Sequence, residues 1–276
     1  MPLVSVIIPT FNRVGVIRRA VDSVLAQTFH DFELIVVDDG SSDNTQQVLD
    51  TYGGRIRVLR QENRGVSAAR NAGIAASNGE LVAFLDSDDE WMPEKLFHQT
   101  AGAKEKESFV RHTDEIWMMD GKVMPQKAYH RKQGGRFFER ALERCLISPS
   151  SVMLSRELLD RVGWFDESLP AAEDYDLWLR ITAFHEVDFV DMPLVVKHAG
   201  AWNQLSRAVP AIDRYRIAAI LKIIDNPALR PEYLEAARRE LARKCRIMAL
   251  GCTKRGKTDE AEIYSEISRR SLVDHD

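Results

Sequence analysis

Two hydrophobic periods alternate through the first ninety residues, and this alternation constrains the fold more than anything else in the chain. Residues 3–9 form an apolar run that is too short for a helix and rich in β-branched side chains. Residues 32–37 and 81–85 repeat it, with a weaker run at 56–59. Between the runs, Val14, Ile17, Val21, Val24 and Leu25, and later Val66, Ala69 and Ala72, recur at helical spacing. Strands apolar on both faces and separated by helices indicate a parallel sheet covered on both sides. The expected fold class is therefore α/β, doubly wound at the N-terminal end.

Further along, the pattern loosens at 107–135 into short strand-like pieces punctuated by Gly121, Pro125, Gly134 and Gly135. Helices are predicted at 137–145, 156–162 and 173–184, with strands at 150–154 and one or two more within 187–196. From Pro210 the chain becomes helical, at 212–224, 231–250 and 258–268, with breaks at Asn226-Pro227 and at 251–256. This region reads as a helical C-terminal appendage whose last two helices form an antiparallel hairpin.

Composition narrows the partners. The net charge of −4 over 276 residues gives no global basic field, so nucleic acid is not an expected partner. Cys145, Cys245 and Cys252 are odd in number and widely spaced, which suits neither a disulfide framework nor a zinc knuckle and points to a reducing cytoplasm. The first residues lack a basic segment and a cleavage site and read as a strand. No apolar run approaches the ~18 residues of a membrane span.

In a parallel α/β sheet, ligands sit beyond the carboxyl ends of the strands. Pro9-Thr10-Phe11-Asn12-Arg13 follows the first strand, Asp38-Asp39-Gly40-Ser41-Ser42-Asp43 the second, and Asp86-Ser87-Asp88-Asp89-Glu90-Trp91 the fourth. Two acidic turns on one sheet edge repel each other unless a cation or donor groups offset them. A divalent metal shared with substrate phosphates is the simplest offset. Taken singly, the first turn also suits a strand-to-helix connection with Ser42 or Asp43 as N-cap, and the second a solvated turn before a helix opened by Pro93. Asp174 opens a helix on the face shared with Leu177, Trp178 and Ile181. The helix dipole favours an ionised carboxylate there, as a general base requires, although an N-capping acid has the same address.

Five blocks in order then resemble a known family. They are the segment from Val4 to Arg13, the segment from Phe32 to Asp43, Asn63-Arg64-Gly65 through Ala72-Gly73, Asp86-Ser87-Asp88-Asp89, and Val162-Gly163-Trp164-Phe165-Asp166 followed by Glu173 to Arg180. Over roughly residues 3 to 200 the chain is similar to the inverting glycosyltransferases of family 2, which have the nucleotide-sugar-binding GT-A fold. The resemblance implies a GT-A domain at 1–206, with a nucleotide-binding half at 1–104 and an acceptor-side half at 105–206, followed by a helical region at 207–276. It implies a nucleotide-diphosphate sugar as donor, a uridine one if Asp39 meets the base, and a saccharide or lipid-linked acceptor. Pro9, Thr10 and Asn12 would line the nucleotide pocket, with Asp38 beside Asp39. Arg70 would lie near the nucleotide or its diphosphate. Asp86, Ser87 and Asp88 would form the Asp-X-Asp turn, with Asp88 directly on a Mn²⁺ or Mg²⁺ ion, Asp86 on the ribose, and the two aspartates binding the metal jointly with the diphosphate. Asp174 would be the base, with Glu173 beside it. His198 matches a histidine that some related enzymes use as a further metal ligand, and a surface loop histidine is the plainer reading. Trp202 suits either a lid over the donor or packing against the appendage.

Two other motifs are decoys. Gly251 to Thr258 satisfies the phosphate-loop pattern letter for letter. It follows an amphipathic helix rather than a buried strand, and Asp259, Glu260 and Glu262 would repel phosphate. No GxGxxG follows any strand, which excludes the dinucleotide-binding fingerprint. The appendage is basic at Arg207, Arg214, Arg216, Lys222, Arg238, Arg239, Arg243, Lys244 and Arg246. A solvated helix face explains this, and peripheral docking to anionic membrane lipid at the inner face of the membrane is the functional alternative. A sugar nucleotidyltransferase would carry a glycine-rich turn where Pro9 to Arg13 has none, and a non-catalytic nucleotide-sugar binder would have no use for an intact Asp86, Asp88 and Asp174.

Overall fold

The computed structural model describes residues 1–103, 108–199 and 211–273. Four strands, β1 (Val4–Thr10), β2 (Phe32–Asp38), β3 (Arg57–Arg60) and β4 (Leu81–Phe84), pair in parallel in the order β3-β2-β1-β4. Helices α1 (Ile17–Leu25), α2 (Thr45–Asp50) and α3 (Val66–Ala76) connect them. Alternate residues of β1 feed opposite layers, as a strand of period two must. Val4, Val6 and Ile8 pack with Ile17, Val21 and Val24 of α1, whereas Ile7 packs with Ala69 and Ile74 of α3. At Gly73 α3 comes so close to β1 that an added Cβ would lie 2.5 Å from the Ile7 side chain. The doubly wound half is thus as the apolar runs predict.

The second half departs from the reading of short pieces. A single ten-residue strand, β6 (Val110–Met119), runs through the region, with β7 (Lys122–Met124) folded back on it. Its interior carries buried His112, Thr113 and Glu115, so the strand has no apolar signature. Residues after 187 likewise form one strand, β9 (Asp188–Ala199), parallel to β6. Pro193 is accommodated where the register shifts opposite Asp114. With β5 (Glu90–Trp91) and β8 (Val152–Ser155) the sheet reads β3-β2-β1-β4-β8-β6-β9-β5. Helices α4 (Lys95–Thr100), α5 (Phe138–Glu143), α6 (Arg156–Val162) and α7 (Glu173–Thr182) cover it.

The C-terminal helices are α8 (Asp213–Ile224), α9 (Pro231–Lys254) and α10 (Thr258–Val273). Helix α9 continues through Gly251, beyond the expected break. The turn comes only at Arg255-Gly256, where Gly256 has a φ of 71° and the Lys257 and Gly256 amides donate to the Cys252 and Thr253 carbonyls. That is a Schellman ending, and it accounts for the phosphate-loop lookalike. Ile217, Ile220, Leu241 and Cys245 share one core with Phe138, Tyr175 and Leu177. Several of the basic residues are paired with carboxylates. Lys222 pairs with Asp166 and Asp176, Arg239 with Glu235, and Arg243 and the buried Lys244 with Glu240. No helix among the described residues is long and apolar enough to cross a membrane.

Beneath the central sheet, His112 is fully buried against the rings of Phe137 and Phe189, with Nε2 2.8 Å from the Gln133 carbonyl oxygen. Burial, helped by the Lys132 charge, pushes its pKa down to about 3. The folded protein holds a neutral imidazole where the unfolded chain would take up a proton below about pH 6.5. Stability from this group is therefore present above that pH and is lost as pH falls toward 3. Relative to wild type, His112→Asn is expected to gain up to about 1.4 kcal/mol per pH unit on acidification from about 6.5 to 5. Urea titrations at several pH values check this, and a difference independent of pH would assign the proton elsewhere.

Candidate active site

Beyond Ile7 the ladder between β1 and β4 ends, while β1 continues beside β2 through Pro9 and Thr10. Pro9 thus costs the sheet no hydrogen bond on the β4 side, and the parting strands open a cavity of about 810 Å³. Every expected site residue except Asp38 contributes to its wall.

At one end lie Pro9, Thr10, Asn12 and Asp39. The Thr10 hydroxyl oxygen is buried with no hydrogen-bond partner among the described residues. Asn12, in the left-handed region at φ 51°, accepts from the Ser42 amide at 2.8 Å, and its own amide donates to Ser41 Oγ at 2.8 Å. It holds the first acidic turn in place. Asp39 accepts from Gln61 Nε2 at 2.7 Å and from the Arg64 and Gly65 amides at 3.0 and 2.8 Å. The carboxylate therefore fixes the loop leading into α3. Gly40 is needed beside it, because an added Cβ would lie 2.9 Å from the Asn63 nitrogen. Asp38 differs from expectation: fully buried, it accepts from the Ser41 amide at 2.9 Å and lies 3.7 Å from Arg60 Nε. It shapes the turn and does not reach the cavity.

Arg70 crosses the middle of the site. Its two terminal nitrogens donate to Asp86 and Glu173, each at 2.7 Å, and its guanidinium lies 5.0 Å from the Phe165 ring centroid. The charge expected near a diphosphate is thus already paired with two carboxylates from different halves of the chain. Glu173 is almost fully buried, and burial raises its pKa against the opposing pull of Arg70.

The second acidic turn follows β4. Burial raises the pKa of Asp88, the Asp86 charge adds to this, and Arg13 opposes it. Asp89 is buried more deeply and accepts from Ser150 Oγ at 2.6 Å, with Lys197 Nζ 4.0 Å away. Burial disfavours the Lys197 ammonium, but Asp89, Glu115, Asp86 and Asp174 outweigh it and raise its pKa. His198 Nε2 lies 3.4 Å from Glu90 Oε2 across the β9–β5 pair and borders the cavity. Among the described residues no three His, Cys, Asp or Glu side chains converge as a metal cage. Mg²⁺ and Mn²⁺ suit sites of one or two carboxylates completed by substrate phosphates and water. Asp86 and Asp88, two carboxylates of one turn on the cavity wall, fit that donor set.

The far end is built on α7. Ala172, buried and left-handed at φ 61°, turns the chain into the helix. Asp174 follows, partly exposed on the cavity wall. It accepts from the Tyr175 amide at 2.7 Å through Oδ1 and from Cys145 Sγ at 3.3 Å through Oδ2. It is not the cap of the helix, and each oxygen keeps a lone pair for a ligand. Lys197, Cys145, Trp117 and Arg216 also border the cavity, although no motif in the sequence marks them as site residues. Arg216 was legible only as one basic residue of a helix, and Lys197 only as the neighbour of His198. Trp202 and Arg207 lie outside the described residues.

A mixed sheet of this order, with an acidic turn after β4 at the mouth of the cleft, is the GT-A glycosyltransferase fold. The profile of glycosyl transferase family 2 matches residues 5–163, more than half of the chain, and the chain belongs to that family. It is 37% identical over 196 residues, 68% of this chain and 73% of the other, to the UDP-Glc:alpha-D-GlcNAc-diphosphoundecaprenol beta-1,3-glucosyltransferase WfgD of Escherichia coli. S. aureus TarS 1-349 in complex with UDP-GlcNAc superposes with a TM-score of 0.69 at 20% identity, over 98% of this chain and 92% of that one. The mannosyltransferase PcManGT of Pyrobaculum calidifontis in complex with GDP-Man and Mn²⁺ gives 0.63 at 18% identity, over all of this chain and 88% of that one.

Proposed function

We propose that this glycosyltransferase is a metal-dependent inverting enzyme that moves a sugar from a uridine diphosphate donor to a hydroxyl of a saccharide or lipid-linked acceptor. The observation that carries the reading is Asp174, whose carboxylate stands on the wall of the same cavity as Asp86 and Asp88, with a lone pair free on each oxygen. Asp174 takes the proton of the acceptor hydroxyl as that oxygen attacks the sugar, and one displacement with inversion needs no covalent enzyme intermediate. Thr10 and the loop held by Asp39 receive the nucleotide. Asp88 and Asp86 would hold a Mn²⁺ or Mg²⁺ ion, which would supply positive charge to offset that of the leaving diphosphate. His198 is a further ligand in this reading. The acceptor class is supported by the similarity to WfgD, whose name specifies a diphosphoundecaprenol acceptor. Such an acceptor would bring the enzyme to a membrane surface, with exposed basic residues of α8 and α9 as the contact.

Thermal and chemical denaturation against uridine, guanosine and thymidine diphosphates, with and without Mn²⁺, tests the donor and the metal together. Uridine diphosphate with Mn²⁺ is expected to stabilise most, by about 2.7 kcal/mol at a hundredfold excess over its dissociation constant. Greater stabilisation by another base overturns the donor assignment. Asp88→Ala is expected to remove the Mn²⁺-dependent part of this stabilisation while the apo protein stays folded. Equally tight binding by Asp88→Ala and wild type, with no response to Mn²⁺, assigns the nucleotide to a different site.

A further inference from the structure

From the acceptor end of the cavity, the geometry points to Arg216 as a specificity-determining residue that receives an anionic, phosphoryl-type group on the acceptor. This rests on the reading of Asp174 as the base and extends it to the chemical class of the acceptor. Arg216 comes from α8, beyond the residues that the family profile matches, yet it forms part of the cavity wall. Its guanidinium lies 5.9 Å from the ring centroid of Tyr175, the residue after Asp174. Burial and the Asp174 carboxylate, 3.3 Å from the sulfur, push the Cys145 thiol up, and the Arg216 charge opposes this. Arg216 and Asp174 thus wall one cavity, and with Asp174 read as the base the group that Arg216 meets is on the acceptor.

The charge balance of the site gives the sign of that group. Arg70 is taken up by Asp86 and Glu173, and Lys197 by Asp89 and Glu115. Among the described residues Arg216 has one ion pair, from Nη1 to Asp213 at 3.1 Å on its own helix. Its Nε is buried and has no partner among the described residues. A guanidinium carries five N–H donors in a planar fork that matches two oxygens of a phosphate or carboxylate. A buried donor left unused is disfavoured, so the fork is incompletely satisfied within the protein, and Arg216 contributes to the cavity wall where a ligand oxygen can meet its remaining donors. A phosphoryl group near the accepting hydroxyl arises either in a diphosphate linker to lipid or in a phosphodiester within a glycan chain. Both present the same oxygens.

Calorimetric titration of the enzyme loaded with uridine diphosphate and Mn²⁺ separates the possibilities. The probes are a short-chain alkyl N-acetylglucosaminyl diphosphate, a glycosyl phosphodiester, and an uncharged alkyl N-acetylglucosaminide. Wild type is expected to bind one of the charged probes more tightly than the uncharged one, and the one preferred identifies the source. Arg216→Gln is expected to reduce that preference by about 10- to 100-fold, the worth of a hydrogen bond to a charged group. Arg214→Gln removes the same charge from an exposed position on the same helix and is expected to leave the preference intact. The inference is overturned if wild type shows no preference for charge, if Arg216→Gln retains it, or if Arg214→Gln erodes it equally. Failure to bind uridine diphosphate in the loading step would instead count against the donor assignment.

Discussion

Asp174→Asn lowers sugar transfer by about 10²- to 10⁴-fold, the usual worth of a positioned proton transfer. The substitution keeps what the structure uses the side chain for. An asparagine oxygen still accepts from the Tyr175 amide, which Asp174 engages at 2.7 Å, so the start of α7 is preserved. What disappears is the basic lone pair on the cavity side. Binding of the donor nucleotide persists, because Thr10, Asp39 and Asp88 approach the cavity from other elements. Initial rates under saturating donor and acceptor make the measurement. Retention of more than about a tenth of wild-type turnover would place the base on another residue. Glu173→Gln, the neighbouring change, is a poor control in this structure. It takes the charge from one partner of the buried Arg70, so its effect is on stability.

The second large effect falls on the fold. Arg70→Met leaves the carboxylates of Asp86 and Glu173 facing a side chain with no charge. Both Arg70 and Glu173 are almost fully buried, and breaking a buried pair by removing one partner costs about 3–5 kcal/mol. Glu173, whose carboxyl burial already pushes up, then takes a proton more readily, and the loss is partly relieved as pH falls. Urea unfolding at neutral and mildly acidic pH reads both features. A loss below about 1 kcal/mol, the level of an exposed ion pair, would show that the bridge contributes little. Arg70→Lys is expected to recover only part of the stability, since a single ammonium cannot reproduce the fork that spans two carboxylates.

The legibility of the chain follows from how each element is stabilised. Strands β1, β2 and β4 are buried on both faces, so their sequences are continuous apolar runs, and the acidic turns follow at predictable places. Asp86, Asp88 and Asp174 could be placed around one cavity from motif and spacing because their backbone setting is local. Strand β6 could not be delimited, because its inner residues are polar and are satisfied by distant partners. Glu115, for example, is held by Lys132, Ser148 and Trp117. Arg70 could be assigned to the site but not to its partners, since the pairing to Glu173 joins residues 103 positions apart. Asp38 and Asp39 are adjacent acids of the same type, and only the pleat separates them. One turns into the strand-end turn, and the other toward the loop before α3. Arg216 carries the same lesson for helices, where a run of basic residues says nothing about which of them faces inward.

Ala172 sets up an opposition between durability and turnover. An L-residue in the left-handed region is disfavoured by about 1–2 kcal/mol, and glycine there is not. A laboratory selection for thermal tolerance would therefore find Ala172→Gly an easy step. Yet the two residues that follow are Glu173 and Asp174, and a more pliable hinge just ahead of them loosens the angle at which α7 presents its carboxylates. Selection for catalysis would pull the same position back toward alanine.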